Sequence, residues 1–249
     1  MKQLWSKAIF ITADILLLAY IVLAMTSFNK PLVDKNALCS RVEINIDESI
    51  TEGFLTAKEV KNILVSNKLY PLKKGISHVN TRQIEELLLG NQLIEHVVCY
   101  KTCDGGVVIN LRQRTPVMRV KSENGEDYYL DNNGEVLMGV MYPTDLVVAT
   151  GHISKAYARK YLQNVATFIV SDTFWKDEIE QVCVLHDGSI ELVPRIGSHI
   201  VYIGQPVDLE EKMDRLYKFY KYGLNTIGWR KYSYINVEFS NQIICRLRE

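Results

Sequence analysis

Residues 95–116 read EHVVCYKTCDGGVVINLRQRTP, and this stretch decides the first fold. Two runs, 95–103 and 107–114, are rich in β-branched and aromatic residues and read as strands. Asp104-Gly105-Gly106 between them is hairpin chemistry, because glycine supplies the positive φ that tight turns demand. Upstream, Asn80-Thr81-Arg82-Gln83 caps a helix carrying Ile84, Leu87 and Leu88, stopped by Gly90-Asn91. Earlier still, Thr56-Ala57-Lys58-Glu59 is a capping box, with Val60, Ile63 and Leu64 forming the helical stripe behind it. Residues 41–47 alternate polar and apolar, the pattern of a half-buried strand. The order over residues 39–116 is therefore β-α-α-β-β, a one-layer sheet covered by two helices.

Residues 117–249 read as a second, β-rich domain of mixed α+β type with two helices. Residues 128–130 and 136–138 flank the turn Asp131-Asn132-Asn133-Gly134, and residues 180–185 and 189–193 alternate about Asp187-Gly188. One helix is expected over 155–168, capped by Ser154, with Ala158, Tyr161, Leu162 and Val165 on one stripe. Asp208-Leu209-Glu210-Glu211 reads as the cap of another, carrying Leu209, Met213, Leu216, Tyr217 and Tyr220 and ending at Gly223. The chain closes with strands at 234–239 and 242–247 about Ser240-Asn241. Antiparallel pairing should dominate.

At the other end, sixteen of the twenty residues 9–28 are apolar, and Asp14 is their only charge. Twenty helical residues span roughly 30 Å, the thickness of a bilayer core. The long run and the poor cleavage site at Met25-Thr26-Ser27-Phe28 predict a single uncleaved membrane anchor rather than a removed signal peptide. Asp14 lies near one end and can snorkel to the interface. Lys2, Lys7 and the amino terminus before the span balance Lys30, Lys35 and Arg41 after it, so positive charge does not orient the segment.

Composition narrows the function. The 249 residues carry 29 basic and 29 acidic side chains, and 47% are hydrophobic, which excludes intrinsic disorder and a non-specific nucleic-acid binder. The segment after residue 28 has a net charge of −1. No nucleophile elbow, metalloprotease helix, Walker loop or dinucleotide fingerprint is present. Ser27 and Lys30 fit an S-x-x-K pattern only at the expected membrane edge. Asp145, Asp172, Asp177 and Glu178 read as solvated loop charges rather than an acid–base pair. The five histidines share no metal-ligand spacing, and on an alternating strand His96 faces away from Cys99 and Cys103, which argues against a metal there. Cys99 and Cys103, read on one strand, stand about 13 Å apart and cannot bridge, so the five cysteines are expected to be free, buried thiols. No catalytic, cofactor or metal site is expected. Of the aromatic residues from Tyr217 to Tyr234, Tyr217 and Tyr220 read as core, and the surplus on both helix faces suits a protein interface.

These residues carry a resemblance. A short tail, one span, the β-α-α-β-β block ending Arg112-Gln113-Arg114-Thr115-Pro116, and Tyr129-Leu130-Asp131-x-x-Gly134 resemble the bacterial cell-division family FtsQ/DivIB. The stretch Leu146-x3-Thr150-Gly151 is similar to a family motif that carries an additional proline. The ending, residues 234–242, is similar to the family's terminal β hairpin. The resemblance implies a POTRA first domain, residues 1–8 in the cytoplasm, and residues 39–116 and 117–249 in the periplasm. It also implies a non-enzymatic divisome scaffold at the inner membrane and septum, which links early cytoplasmic division proteins to septal peptidoglycan synthesis. Its second domain would bind FtsB and FtsL by strand addition, without cofactor or nucleic acid. By match to the terminal strand, Glu238, Phe239, Ser240 and Asn241 would carry the contact, Phe239 as the aromatic anchor, with Arg246 and Arg248 beside them. The competing readings are a membrane-anchored POTRA protein for secretion or outer-membrane assembly, and an anchored envelope hydrolase.

Overall fold

A computed structural model of the chain describes residues 12, 14–25, 37–47, 55–139 and 145–249. Residues 14–25 (α1) are helical, with Leu16, Leu17, Leu18 and Leu23 exposed. Among the described residues no helix is long and apolar enough to cross a membrane. The rest of the expected span 9–28, the tail 1–8, Lys30, Lys35 and Ser27 lie outside the described residues. The remainder falls into two compact units, one running to Arg112 and the other beginning at Gln113.

The first unit has the expected order: β1 (Arg41–Ile46), α2 (Ala57–Ser66), α3 (Thr81–Leu89), β2 (Ile94–Lys101) and β3 (Gly106–Gln113). The capping box closes as read, with Thr56 N–H donating to Glu59 Oε2 at 2.8 Å and Glu59 N–H to Thr56 Oγ1 at 3.3 Å. Those two bonds satisfy backbone donors that the first helical turn leaves without partners. Asn80 likewise caps α3 through Gln83 N–H. The sheet order is β1-β3-β2, with β1 parallel to β3 from Arg41↔Gly106 to Ile46↔Leu111. Val60 and Leu64 of α2 and Ile84 and Leu88 of α3 pack on Val97, Cys99, Val107, Ile109 and Leu111. Cys103 lies beyond the end of β2, in the turn, and is exposed, so it does not share a strand with Cys99.

The second unit is a nine-stranded sheet in the order β12-β11-β10-β9-β8-β7-β4-β5-β6. Its strands are β4 (Pro116–Ser122), β5 (Asp127–Asp131), β6 (Val136–Met138), β7 (Val148–Gly151), β8 (Ile179–Val184), β9 (Ile190–Pro194), β10 (Ile200–Gly204), β11 (Tyr232–Asn236) and β12 (Ile244–Leu247). Five pairings are antiparallel, as expected to dominate, but β4–β7, β7–β8 and β10–β11 are parallel. Parallel neighbours need crossovers. Helices make two of them: α4 (155–171) and α5 (Thr173–Glu178) between β7 and β8, and α6 (209–227) between β10 and β11. Leu162, Val165 and Ile169 of α4, Trp175 of α5, and Met213, Leu216 and Tyr220 of α6 share one core with Val120, Leu130, Val182, Leu192, Val201 and Ile235 of the sheet.

Several local readings change here. A third helix, α5, joins the two expected, because Asp172 accepts from Phe174 N–H and Trp175 N–H and starts a new turn that buries Trp175. Asp208 does not cap α6 with its side chain: its backbone is left-handed, φ 53°, and it contributes only its carbonyl, to Lys212 N–H. Nor does α6 stop at Gly223. It passes through a wide turn, Phe219–Leu224, in which the Phe219 ring lies 2.9 Å from where a Cβ on Gly223 would stand, and it ends before Gly228. Of the thiols only Cys39 and Cys99 are buried; Cys183 and Cys245 are half-buried.

Candidate partner-binding edge

The two ends of the large sheet are β6 and β12, and β12 is the longer. It pairs antiparallel with β11 from Tyr232↔Leu247 to Asn236↔Ile244. An edge strand presents a row of backbone N–H and C=O groups toward solvent, a template for an added strand. Its apolar side chains are also free: Ile244 and Leu247 are 48% and 60% exposed, while Cys245 packs inward on the core. Arg246 lies over the Tyr234 ring at 5.4 Å, and Tyr234 donates to Glu191 at 3.0 Å. Burial, then that carboxylate, raises the Tyr234 hydroxyl pKa, so the phenol stays protonated. Tyr202 stacks on the same ring. The edge is thereby stiffened across four strands.

Glu238, Phe239, Ser240 and Asn241 are not strand residues. β11 ends at Asn236, and the four occupy the connection to β12. Asn236 Oδ1 accepts from Glu238 N–H, breaking the ladder in favour of a local turn. Val237 still donates to Tyr202 at 3.0 Å and is buried. Arg215 of α6 then pins the connection, donating to the carbonyls of Val237 at 2.9 Å and Ser240 at 3.1 Å. Phe239, 45% exposed, stands outside the core in the connection that leads into β12. Arg246 belongs to β12 itself, and Arg248 follows it, its guanidinium donating to the Ser198 carbonyl. Arg215, Ile244 and Leu247 are not legible as site residues in the sequence: Arg215 is one charge among several on α6, beside Glu210, Glu211, Lys212, Asp214 and Lys218.

Elsewhere the structure gives the acidic residues structural work. Asp145 pairs with Arg195 at 2.9 Å, and Asp172 caps α5. Glu178 is buried, accepts from Ile196 N–H at 3.4 Å, and has its pKa raised by that burial. His199 is buried against Tyr220, 2.7 Å from its hydroxyl, and desolvation pushes its pKa down to about 4. Among the described residues, His96, Cys99 and Cys103 form no metal-ligating group. Two other histidines, which the sequence shows as unrelated loop residues, do meet: His152 and His186 lie ring to ring at 4.9 Å, beside Glu123.

Within the second unit, the residues just ahead of β4 meet the β5–β6 turn. Arg114 pairs with wholly buried Asp131 at 2.9 Å, and Asp131 Oδ1 accepts from Asn133 N–H and Glu135 N–H across the β5–β6 turn. No curated protein sequence matches this chain. The family model for a POTRA-like domain matches residues 37–112. The model described as FtsQ/DivIB, C-terminal related, matches residues 115–246, which include the whole nine-stranded sheet up to Arg246. With more than half its length so matched, and a POTRA-like domain before it, the chain belongs to the FtsQ/DivIB family of cell-division proteins.

Proposed function

We propose that this chain is a non-enzymatic scaffold of the division machinery, held at the inner membrane by the apolar segment 9–28. Residues 1–8 then lie in the cytoplasm and the two folded units in the periplasm, concentrated at the septum. The scaffold binds FtsB and FtsL and so links early cytoplasmic division proteins to septal peptidoglycan synthesis. The observation that supports this most is β12: an outermost strand with two exposed apolar side chains, inside the region matched by the family model. An incoming FtsB strand would complete the ladder of β12, with main-chain hydrogen bonds giving affinity and alternate side chains giving specificity. Glu238, Phe239, Ser240 and Asn241 then flank the edge at the start of β12, Phe239 offering the aromatic anchor and Arg215 holding the connection in place. The exposed basic side chains Arg246 and Arg248 favour an incoming segment flanked by acidic residues.

The test is co-purification of FtsB with the full chain carrying Phe239→Asp or Leu247→Asp. Both side chains are exposed, so far-ultraviolet circular dichroism should be unchanged while FtsB recovery falls at least about tenfold. Undiminished recovery with both variants would overturn the assignment of this edge.

A further inference from the structure

Three adjacent strands of the large sheet, β8, β7 and β4, run parallel to one another, so their C-terminal ends emerge side by side. The register aligns Ser122 with Gly151 and Gly151 with Val184. One residue past those ends come Glu123 and His152, and two past Val184 comes His186. The backbone locks the three positions. Glu123 N–H donates to the Gly151 carbonyl at 3.0 Å, and His152 N–H to the Val184 carbonyl at 2.9 Å. His186 opens the turn closed by Gly188 N–H on Leu185 O, which Asp187 braces by accepting from Ser189 N–H at 2.9 Å and its hydroxyl at 2.6 Å. Gly151 makes this alignment possible: its φ is 101°, and a Cβ there would stand 2.1 Å from the Val184 carbonyl oxygen.

One ligand atom from each of Glu123, His152 and His186 lies within 4.8 Å of the other two. His152 Nδ1 is 3.7 Å from Glu123 Oε2. In a tetrahedral site with bonds of about 2.0–2.1 Å, neighbouring donors stand about 3.3 Å apart. All three side chains are exposed and can rotate, so closing that gap needs no movement of the ladder beneath them. Two imidazoles and one carboxylate are a donor set for a borderline transition ion, not for Ca²⁺ or Mg²⁺, which seek oxygen.

We propose that Glu123, His152 and His186 form a surface zinc site that clips together the ends of β4, β7 and β8. Each histidine gives one neutral ring nitrogen and Glu123 one carboxylate oxygen, and the fourth position stays open to water or an outside donor. The ion displaces water from these three side chains. Because the anchoring strands lie at the centre of the sheet and β12 at its edge, this site stands or falls separately from the partner-binding reading.

The experiment titrates ZnCl₂ into the full chain, solubilised in detergent with its thiols kept reduced. One equivalent should bind with micromolar affinity and raise the unfolding temperature. His152→Ala and His186→Ala should each weaken binding at least about tenfold, and Glu123→Gln should weaken it less. His96→Ala, on the other unit, should change nothing. Loading with Co²⁺ should give visible ligand-field bands without thiolate charge-transfer absorption. Three results overturn the site: no saturable Zn²⁺ binding, equal binding by the double histidine variant, or a thiolate band showing that the cysteines hold the metal.

Discussion

Asp131 is wholly buried, yet Arg114 and two backbone N–H groups meet its carboxylate. Removing one partner of such a pair leaves the other desolvated and unpaired. Asp131→Ala should therefore lower stability by about 3 kcal/mol, read as a shift in the urea midpoint. An unchanged midpoint would show that the pair carries no weight. The motif Tyr129-Leu130-Asp131-x-x-Gly134 was legible as a turn because turn chemistry is local. Its arginine was not legible as a partner, because that contact exists only once β4 and β5 have paired. His199 makes the same point more sharply: nothing in its neighbours foretells burial beside Tyr220 and Trp229. Its folded pKa of about 4, set first by burial and then by Arg248, lies below the ordinary 6.5. As pH falls through that interval the unfolded chain takes up the proton first, so stability is full above pH 6.5 and drains as pH approaches 4. The loss is at most about 3 kcal/mol. His199→Gln should flatten the dependence of the urea midpoint between pH 7 and 4.5, followed by the fluorescence of Trp175 and Trp229, which flank Tyr220. An unaltered slope would assign the acid sensitivity to other groups.

Elements divide by the range of the forces that specify them. The helices α2 and α3 and the hairpin turns were readable because a cap, a stripe or a glycine lies within a few residues of the structure it makes. The strands β4, β7 and β10 escaped notice: one begins with proline, one has four residues, and one is a short apolar run, and their pairings are set by distant partners. β12 was readable as a strand but not as an edge, since edge status is a property of the whole sheet. From it follows a measurement at this scale. Hydrogen exchange of the full chain should show amides of residues 244–247 that exchange freely alone and become protected when FtsB is added. Protection elsewhere with none on β12 would move the binding site. Arg215→Ala should free the carbonyls of Val237 and Ser240, cost about 1–2 kcal/mol, and speed exchange at residues 238–243 without unfolding the sheet. Unchanged exchange there would deny Arg215 its clamping role.

For the whole molecule, net charge says what kind of recognition is available. At −1 beyond residue 28 there is no bulk field to gather a polyanion, so partners must be read by edges and anchors. The near-zero mean hydropathy, −0.03, averages an apolar segment with polar folded units and describes neither. The two-part organisation was legible because each part carries its own strands, caps and turns, and the two family models match the chain in the same order. The role of scaffold is a claim about place: a protein that couples early division proteins to septal wall synthesis must gather where the cell divides. A fluorescent fusion of the full chain, imaged in growing cells, tests that claim most directly. The account predicts a band at midcell that sharpens as constriction begins; uniform staining of the envelope would contradict it.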